Sequence, residues 1–290
     1  MLQAFRARLA AGFVFLALGG CATIAPMSTA LKDAPPPELP RKVELTGVPF
    51  YPREDYYCGP AALAMALNAA GAGVKVEQMC KQVYLPERRG SLQVEMLAAA
   101  RRNGMVAYQI EPRLDHILRE VAAGTPVIVL ENYGYGWFPY WHYSVVVGYD
   151  LERFEFIRRS GFNERQNMPL PVFEHVWQKD GHWAMVAVPP DRLPATAIET
   201  RYSSAIVALE KTGQLKTAHT AYATMLKRWP QSLIAMMGLG NTAYALGNLE
   251  GAEAAFRRAT QAHPGSAAAL NNLAQTLADR GRLADALAAA

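Results

Sequence analysis

The sequence predicts an α+β domain followed by an all-α solenoid of short helical repeats. Three observations support this prediction. Strand-like, β-branched runs and helical segments occur together up to about residue 190. After Pro189 and Pro190 the strand signals stop, and the chain becomes alanine-rich and helical. Several positions then recur every 34 residues.

Composition excludes several classes of protein. The formal net charge is +4 and the basic clusters are isolated, so nothing indicates a nucleic-acid partner. Three cysteines do not form a disulfide framework. No histidine shows metal-ligand spacing with a cysteine or a carboxylate, so we expect neither a metal nor another cofactor.

Residues 1–20 have the pattern of an export signal. A basic start precedes an apolar run of about ten residues, which is too short to span a membrane as a helix. Residues 18–21 read LGGC and resemble the bacterial lipobox, whose cysteine is acylated after cleavage. The resemblance implies lipidation of Cys21. An ordinary secretory peptide with a chance cysteine is the alternative.

The residues after Cys21 favour an outer-membrane anchor that faces the periplasm, because Ala22 is not the acidic residue that accompanies inner-membrane retention. Residues 21–42 include Pro35, Pro36, Pro37 and Pro40 and predict an extended, Pro-rich tether. The first folded domain is predicted to span residues 43–190.

Cys58 is the candidate nucleophile. It lies just before an alanine- and leucine-rich segment in which Pro60 suits the first helical turn and Gly71 suits the end. A helix N-terminus stabilises a thiolate over a thiol and so lowers a cysteine pKa. A buried structural cysteine is the alternative that position alone leaves open.

Two motifs carry a family resemblance. Residues 58–63 read CGPAAL, and residues 142–150 read HYSVVVGYD. Both resemble the double-glycine leader peptidases, papain-like cysteine peptidases that process bacteriocin precursors. The resemblance implies a papain-like α+β domain, a peptide or protein substrate, Cys58 as nucleophile and His142 as general base. An imidazole in that role removes the thiol proton and later protonates the leaving amine.

The sequence departs from this family at two positions. Arg53 stands near the position of the family's oxyanion glutamine, and it is either an oxyanion donor or a surface arginine. Arg158 stands at the position of the acid or amide that orients the histidine in this family, and a guanidinium cannot accept a hydrogen bond from the imidazole N–H. Ser160 and Asn163 are therefore the candidate orienting residues.

The aromatic stretch before His142 is either a lining of the substrate cleft or a cap on the core. It runs from Tyr133 to Trp141 and is spaced by glycines. Cys80 is predicted to be a small apolar residue on a helix.

Residues 200–290 predict a repeat region. Gly213, Gly247 and Gly281 are 34 residues apart, and so are Pro230 and Pro264. This pattern resembles the tetratricopeptide repeat, which implies a surface for a protein partner. The third repeat stops partway through its second helix and would leave an apolar face uncovered, so we expect that further repeats or a partner cover this face, or that the sequence is a fragment.

Together these patterns predict an exported, lipid-anchored cysteine peptidase that hydrolyses peptide bonds and contacts the membrane through its lipid. Arg53 and Arg158 leave one alternative open, a catalytically impaired peptide-binding or assembly lipoprotein that uses its repeats as a scaffold. Acyl transfer to an amine by the same cysteine and histidine is a third possibility.

Overall fold

The computed structural model describes residues 25–52 and 55–290. A seven-stranded antiparallel sheet forms the centre of the first domain, with the order β2-β7-β3-β4-β5-β6 and β1 paired with β4. The strands are β1 (Lys42–Glu44), β2 (Val106–Gln109), β3 (Val127–Asn132), β4 (Trp141–Asp150), β5 (Glu155–Ser160), β6 (Asn163–Pro169) and β7 (Ala184–Val188).

Helices cover both faces of this sheet. One face packs against α2 (Cys58–Ala69), α3 (Val76–Val83) and α4 (Gln93–Arg102). The opposite face packs against α1 (Pro26–Asp33), α5 (Leu114–Ala122) and α6 (Leu170–Trp177). Alternation along β4 supplies both cores, because Tyr143 and Val145 belong to the first and Val146 to the second.

The repeat region consists of antiparallel helix pairs. Its helices are α7 (Glu199–Lys211), α8 (Leu215–Arg228), α9 (Leu233–Ala245), α10 (Leu249–Ala262), α11 (Ala267–Asp279) and α12 (Leu283–Ala289). Gly213, Gly247 and Gly281 have φ of 77°, 79° and 77°, the left-handed conformation that closes the first helix of each pair. The predicted fold class, an α+β domain followed by an all-α repeat solenoid, is confirmed.

Small residues set the helix spacing in the repeats. A side chain at Gly238 would lie 2.2 Å from the ring of Tyr222, and one at Gly240 would lie 2.4 Å from the ring of Phe256. The aromatic rings of the two neighbouring helices therefore pack directly on the backbone of α9.

The N-terminal segment differs from the predicted extended tether. Residues 26–33 form α1, and Leu31 is buried in the core. The Glu174 carboxylate on α6 accepts hydrogen bonds from the Met27 and Ser28 N–H groups at 2.8 and 2.6 Å. A carboxylate at this position satisfies N–H groups that have no partner within the helix. The prediction of an extended segment across residues 26–33 was therefore wrong.

The first repeat helix is joined to the first domain through a shared core. Tyr202 and Ile206 of α7 belong to the same apolar cluster as Val106 of β2. The connecting segment is held by Glu120, whose carboxylate accepts hydrogen bonds from the Ala195 N–H at 3.1 Å and the Thr196 N–H at 2.8 Å. The two parts of the chain are thus packed as one body at this junction.

Within residues 25–52 and 55–290, no helix is long and apolar enough to cross a membrane.

Candidate active site

Cys58 is the first residue of α2, at the end where the helix dipole is positive. The first ten residues of α2 are all buried, because alanine, leucine and methionine occupy every face of the helix. Pro60 is accommodated in the first turn, where its missing N–H leaves no hydrogen bond unmade. The sequence thus places the Cys58 sulfur at the N-terminus of a buried helix.

Gly59 allows a close approach beside the nucleophile. A Cβ at this position would lie 2.5 Å from Oγ and 2.7 Å from Cβ of Ser91. Only glycine therefore permits the segment that precedes α4 to lie against the first turn of α2.

His142 lies near the start of β4 and is buried. In the register of the sheet it stands opposite Glu131 of β3. Its Nε2 atom lies 2.9 Å from Oγ of Ser160 on β5, within hydrogen-bonding distance. The Tyr133 ring stands edge-on to the imidazole, with 6.1 Å between centroids.

Cys58 and His142 lie on two segments of the fold that contact each other. Cys58 Sγ accepts a hydrogen bond from the Tyr143 N–H at 3.4 Å, and Tyr143 directly follows His142 in the chain. Tyr143, Val145 and Val147 pack with Cys58 in one apolar cluster. The helix end and the strand start that carry the two predicted catalytic residues are therefore in contact.

The other predicted site residues have different positions. Ser160 contacts His142, whereas Asn163 lies across the turn from Ser160 and has an exposed side chain. Arg53 and Cys21 lie outside the described residues.

Arg158 belongs to a buried polar cluster, a role that the sequence did not indicate. Its guanidinium is 0% exposed and forms an ion pair with Glu131. It also donates to Tyr133 Oη at 3.0 Å and to Gln166 Oε1 at 2.7 Å. The second Glu131 oxygen accepts from Ser144 Oγ at 2.9 Å. We call these five residues the Glu131 cluster.

The charges in the Glu131 cluster are balanced. Burial is the largest single influence and acts to lower the pKa of Arg158, but the charge of Glu131, Tyr133 and the hydrogen bonds to both together outweigh it and hold that pKa above its ordinary value. Burial and the same carboxylate raise the pKa of Tyr133 to about 12. The cluster therefore pairs opposite charges on β3 and β5, the two strands on either side of the strand that carries His142.

A cleft of about 580 Å³ opens beside Cys58. Its walls combine aromatic rings with charged groups, including Tyr56, Tyr140, Trp141, Arg88, Arg89 and Asp180. Gln93 Nε2 donates to Asp180 at 2.9 Å, and burial raises the pKa of that carboxyl. Aromatic side chains with a few polar groups suit the recognition of an extended peptide.

The described residues contain no group of three or more His, Cys, Asp or Glu side chains that could hold a metal ion.

Among families of known proteins, residues 45–185 match the Peptidase_C39 like family. We call this region the C39-like domain. Residues 205–267 and 239–290 match the tetratricopeptide repeat. Both predicted resemblances are thereby confirmed. No curated protein matches the chain.

Two solved structures resemble the C39-like domain. A protein described as a C39-like peptidase from Bacillus anthracis is 20% identical, with a TM-score of 0.45, over 51% of this chain and 98% of its own. A double glycine motif protease from an AMS/PCAT transporter, in complex with the leader peptide, is 23% identical, with a TM-score of 0.38, over 48% of this chain and 90% of its own.

Sequence reasoning missed the Glu131–Arg158 pair and the Gln93–Asp180 pair. Glu131 directly follows the apolar run 127–130, and Arg158 directly follows the strand-like segment 154–157, in which Glu155 alternates with apolar residues. The two opposite charges were visible in the sequence, but only the fold brings these two strand ends within reach of each other. Gln93 and Asp180 are 87 residues apart with no shared pattern, so only the fold brings them together.

Proposed function

We propose that the C39-like domain is an active cysteine peptidase with Cys58 as nucleophile and His142 as general base. The observation that carries this proposal is the contact between the N-terminal turn of α2 and the start of β4. The helix end supplies positive potential to the sulfur, and the neighbouring residue supplies an imidazole.

The reaction proceeds in two steps. The imidazole of His142 takes the thiol proton, and the Cys58 thiolate attacks the peptide carbonyl to form a tetrahedral oxyanion. The imidazolium returns the proton to the amine as the C–N bond breaks, leaving a thioester. Water then loses a proton to His142 and attacks that thioester, which releases the acid and restores the thiol.

Ser160 is the proposed orienting residue. Both nitrogens of an imidazolium donate hydrogen bonds, and Ser160 Oγ stands at hydrogen-bonding distance from Nε2. That contact leaves Nδ1 for the sulfur. A hydroxyl is a weaker acceptor than the family's carboxylate, so we expect a slower enzyme than one with an acid at this position.

The oxyanion needs a donor close to the sulfur. Arg53 remains the side chain proposed from the sequence. The first turn of α2 is a second source, because the first four N–H groups of a helix lack acceptors within it.

We also propose that the protein is exported and anchored by a lipid on Cys21, in the outer membrane and facing the periplasm. Residues 9–21 support this placement through their apolar run and their LGGC ending. The repeats are proposed to hold a protein partner or the substrate itself, since helical arrays of this type bind chains along one face.

One observation favours a second candidate function. Arg158, near the position of the family's orienting acid, is fully engaged in a buried ion pair. A peptide-binding protein with an impaired site would tolerate this arrangement.

The distinguishing experiment compares the N-termini of exported proteins in cells that carry wild-type, Cys58→Ala or Cys80→Ala protein. A peptidase generates N-termini that disappear in Cys58→Ala and persist in Cys80→Ala, because Cys80 lies on α3 away from the cleft lining. Identical sets of N-termini in all three strains would contradict the proposal and favour the binding function.

A further inference from the structure

The connection between β3 and β4, residues 133–140, exposes the most accessible aromatic rings of the described residues. We call it the aromatic loop. Tyr135 is 91% exposed, Trp137 is 95% exposed and Phe138 is 83% exposed. Exposed apolar surface of this kind marks an interaction site, because the exposure of apolar groups to water is unfavourable.

The base of the aromatic loop holds these rings outward. Oδ1 of Asn132 accepts hydrogen bonds from the Gly134 N–H at 2.8 Å and from the Tyr140 N–H at 3.0 Å. A Cβ at Gly134 would lie 2.1 Å from the Phe138 carbonyl oxygen, so the two sides of the loop pack directly together. Backbone contacts at its base therefore hold the tip of the aromatic loop in its projecting position.

The exposed rings do not line the cleft beside Cys58. Pro139, Tyr140 and Trp141 line it, at the returning side of the loop. Tyr135, Trp137 and Phe138 lie beyond that wall and face solvent. A peptide seated in the cleft would leave these three rings uncovered, so they require another partner.

The aromatic loop lies near the point where the chain enters the fold. Lys179 Nζ donates to the Gly134 carbonyl at 2.9 Å, and Glu174 binds the first turn of α1. Five residues separate Lys179 from Glu174, which corresponds to about 8 Å along a helix. Cys21 precedes Pro26 by five residues, which span at most about 17 Å.

We infer that the aromatic loop inserts into the interfacial region of the lipid bilayer that holds the Cys21 anchor. Tyr and Trp favour that region because each has an apolar ring and a polar atom. Exposed Lys179 at the base of the loop adds attraction to anionic headgroups. The inference rests on the proposed anchoring at Cys21 and does not depend on catalysis.

The consequence is a fixed orientation. Because α1 packs on the domain, a short segment rather than a long tether joins the domain to its lipid anchor. The aromatic loop provides a second contact with the same bilayer. The cleft wall formed by Tyr140 and Trp141 then lies close to the bilayer, so the site takes substrates at the membrane surface.

Fluorescence quenching tests this inference in the intact chain. The full-length protein is isolated from membranes and reconstituted in vesicles of phosphatidylcholine and phosphatidylglycerol, with or without bromine on the acyl chains. We expect brominated lipid to reduce the tryptophan emission of the wild-type protein. Trp137→Phe should abolish that loss while keeping an aromatic ring in the loop. Trp141→Phe, at the cleft wall, is the matched control and should retain it.

Two results would overturn the inference. One is equal wild-type emission in brominated and plain vesicles. The other is quenching that persists in Trp137→Phe. The mass of the N-terminal peptide tests the anchor separately: an acylated Cys21 without quenching contradicts the insertion of the loop alone, whereas an unacylated Cys21 contradicts the anchoring on which the insertion rests. Peptidase activity enters neither measurement.

Discussion

Three glutamates of this chain, Glu120, Glu131 and Glu174, have fully buried side chains, yet they serve two different purposes. Glu131 is paired with the guanidinium of Arg158 inside the sheet. Glu120 and Glu174 instead accept hydrogen bonds from backbone N–H groups of segments distant in sequence. A buried carboxylate requires compensation in each case, but the partner determines what the residue builds.

The ion pair lies beside His142, whereas the other two carboxylates lie on helices α5 and α6. Glu131 stands opposite His142, and Arg158 precedes Ser160 by two residues on the adjacent strand. Glu174 fastens the entering helix α1, and Glu120 fastens the segment that leads to the repeats. The Glu131–Arg158 ion pair therefore shapes the site. The hydrogen bonds that Glu120 and Glu174 accept from backbone N–H groups instead attach the flanking segments.

The largest effect is expected from breaking the ion pair. Arg158→Met leaves Glu131 buried without its cation, which should lower the free energy of unfolding by about 3–5 kcal/mol. Denaturant unfolding measures the change. A double variant, Glu131→Leu with Arg158→Met, removes both charges and should be markedly more stable than Arg158→Met alone.

The matched control for Arg158 is Arg165, which pairs with Glu44 at 2.8 Å on the protein surface. Arg165→Met should change the free energy of unfolding by about 0–1 kcal/mol, because exposed pairs contribute little. Equal destabilisation by Arg158→Met and Arg165→Met would show that the buried pair has no special part in the fold.

A smaller effect is expected at the junction with the repeats. Glu120→Ala removes the acceptor for the Ala195 and Thr196 N–H groups and the Thr196 hydroxyl, which should cost about 1–3 kcal/mol. Limited proteolysis should then cut preferentially within residues 189–198. Cleavage at the same rate as in the wild-type chain would contradict a fastening role for Glu120.

Glu120 also predicts a pH dependence. Burial raises the pKa of this carboxyl, against the opposing effect of the Thr196 hydrogen bonds. The folded state therefore favours the protonated form, and the resulting stability is complete below the ordinary pKa and is lost as the pH rises through the raised value. Relative to Glu120→Gln, the wild-type protein should lose unfolding free energy as the pH rises through this window. A pH-independent difference would contradict the prediction.

The smallest effect is expected at the histidine. Ser160→Ala removes one neutral hydrogen-bond partner of His142, worth about 0.5–1.5 kcal/mol, which corresponds to a loss of roughly 2- to 12-fold in kcat/KM. Asn163→Ala is the matched control, because its side chain is exposed across the turn, and it should leave kcat/KM unchanged. A larger loss in Asn163→Ala than in Ser160→Ala would reverse the assignment of the orienting residue.

Local patterns were sufficient for much of this molecule. The alanine-rich segment after Cys58, the β-branched run after His142 and the 34-residue glycine spacing each predict an element that the structure contains. Ser160 was also within reach of sequence reasoning, since a hairpin brings the ends of neighbouring strands together. These signals depend on residues that are close in the chain.

The missed features depend on partners that are distant in the chain. Pro35 and its neighbours indicated an extended segment, but helix α1 is stabilised by Glu174, 146 residues away from Ser28. Arg158 looked like a missing acid because its partner, Glu131, lies on another strand 27 residues earlier. A buried charge such as that of Arg158 can be recognised only when the fold shows which group compensates it.

The reactivity of Cys58 tests the central claim most directly. The full-length protein is treated with iodoacetamide near pH 6, and peptide mass spectrometry follows the labelling of Cys58 and Cys80 in the same sample. Cys58 is the more buried of the two, so exposure alone favours Cys80. We expect Cys58 to label faster than Cys80 and His142→Ala to remove this difference. Labelling of Cys58 no faster than that of Cys80 would contradict an activated thiolate at the N-terminus of α2.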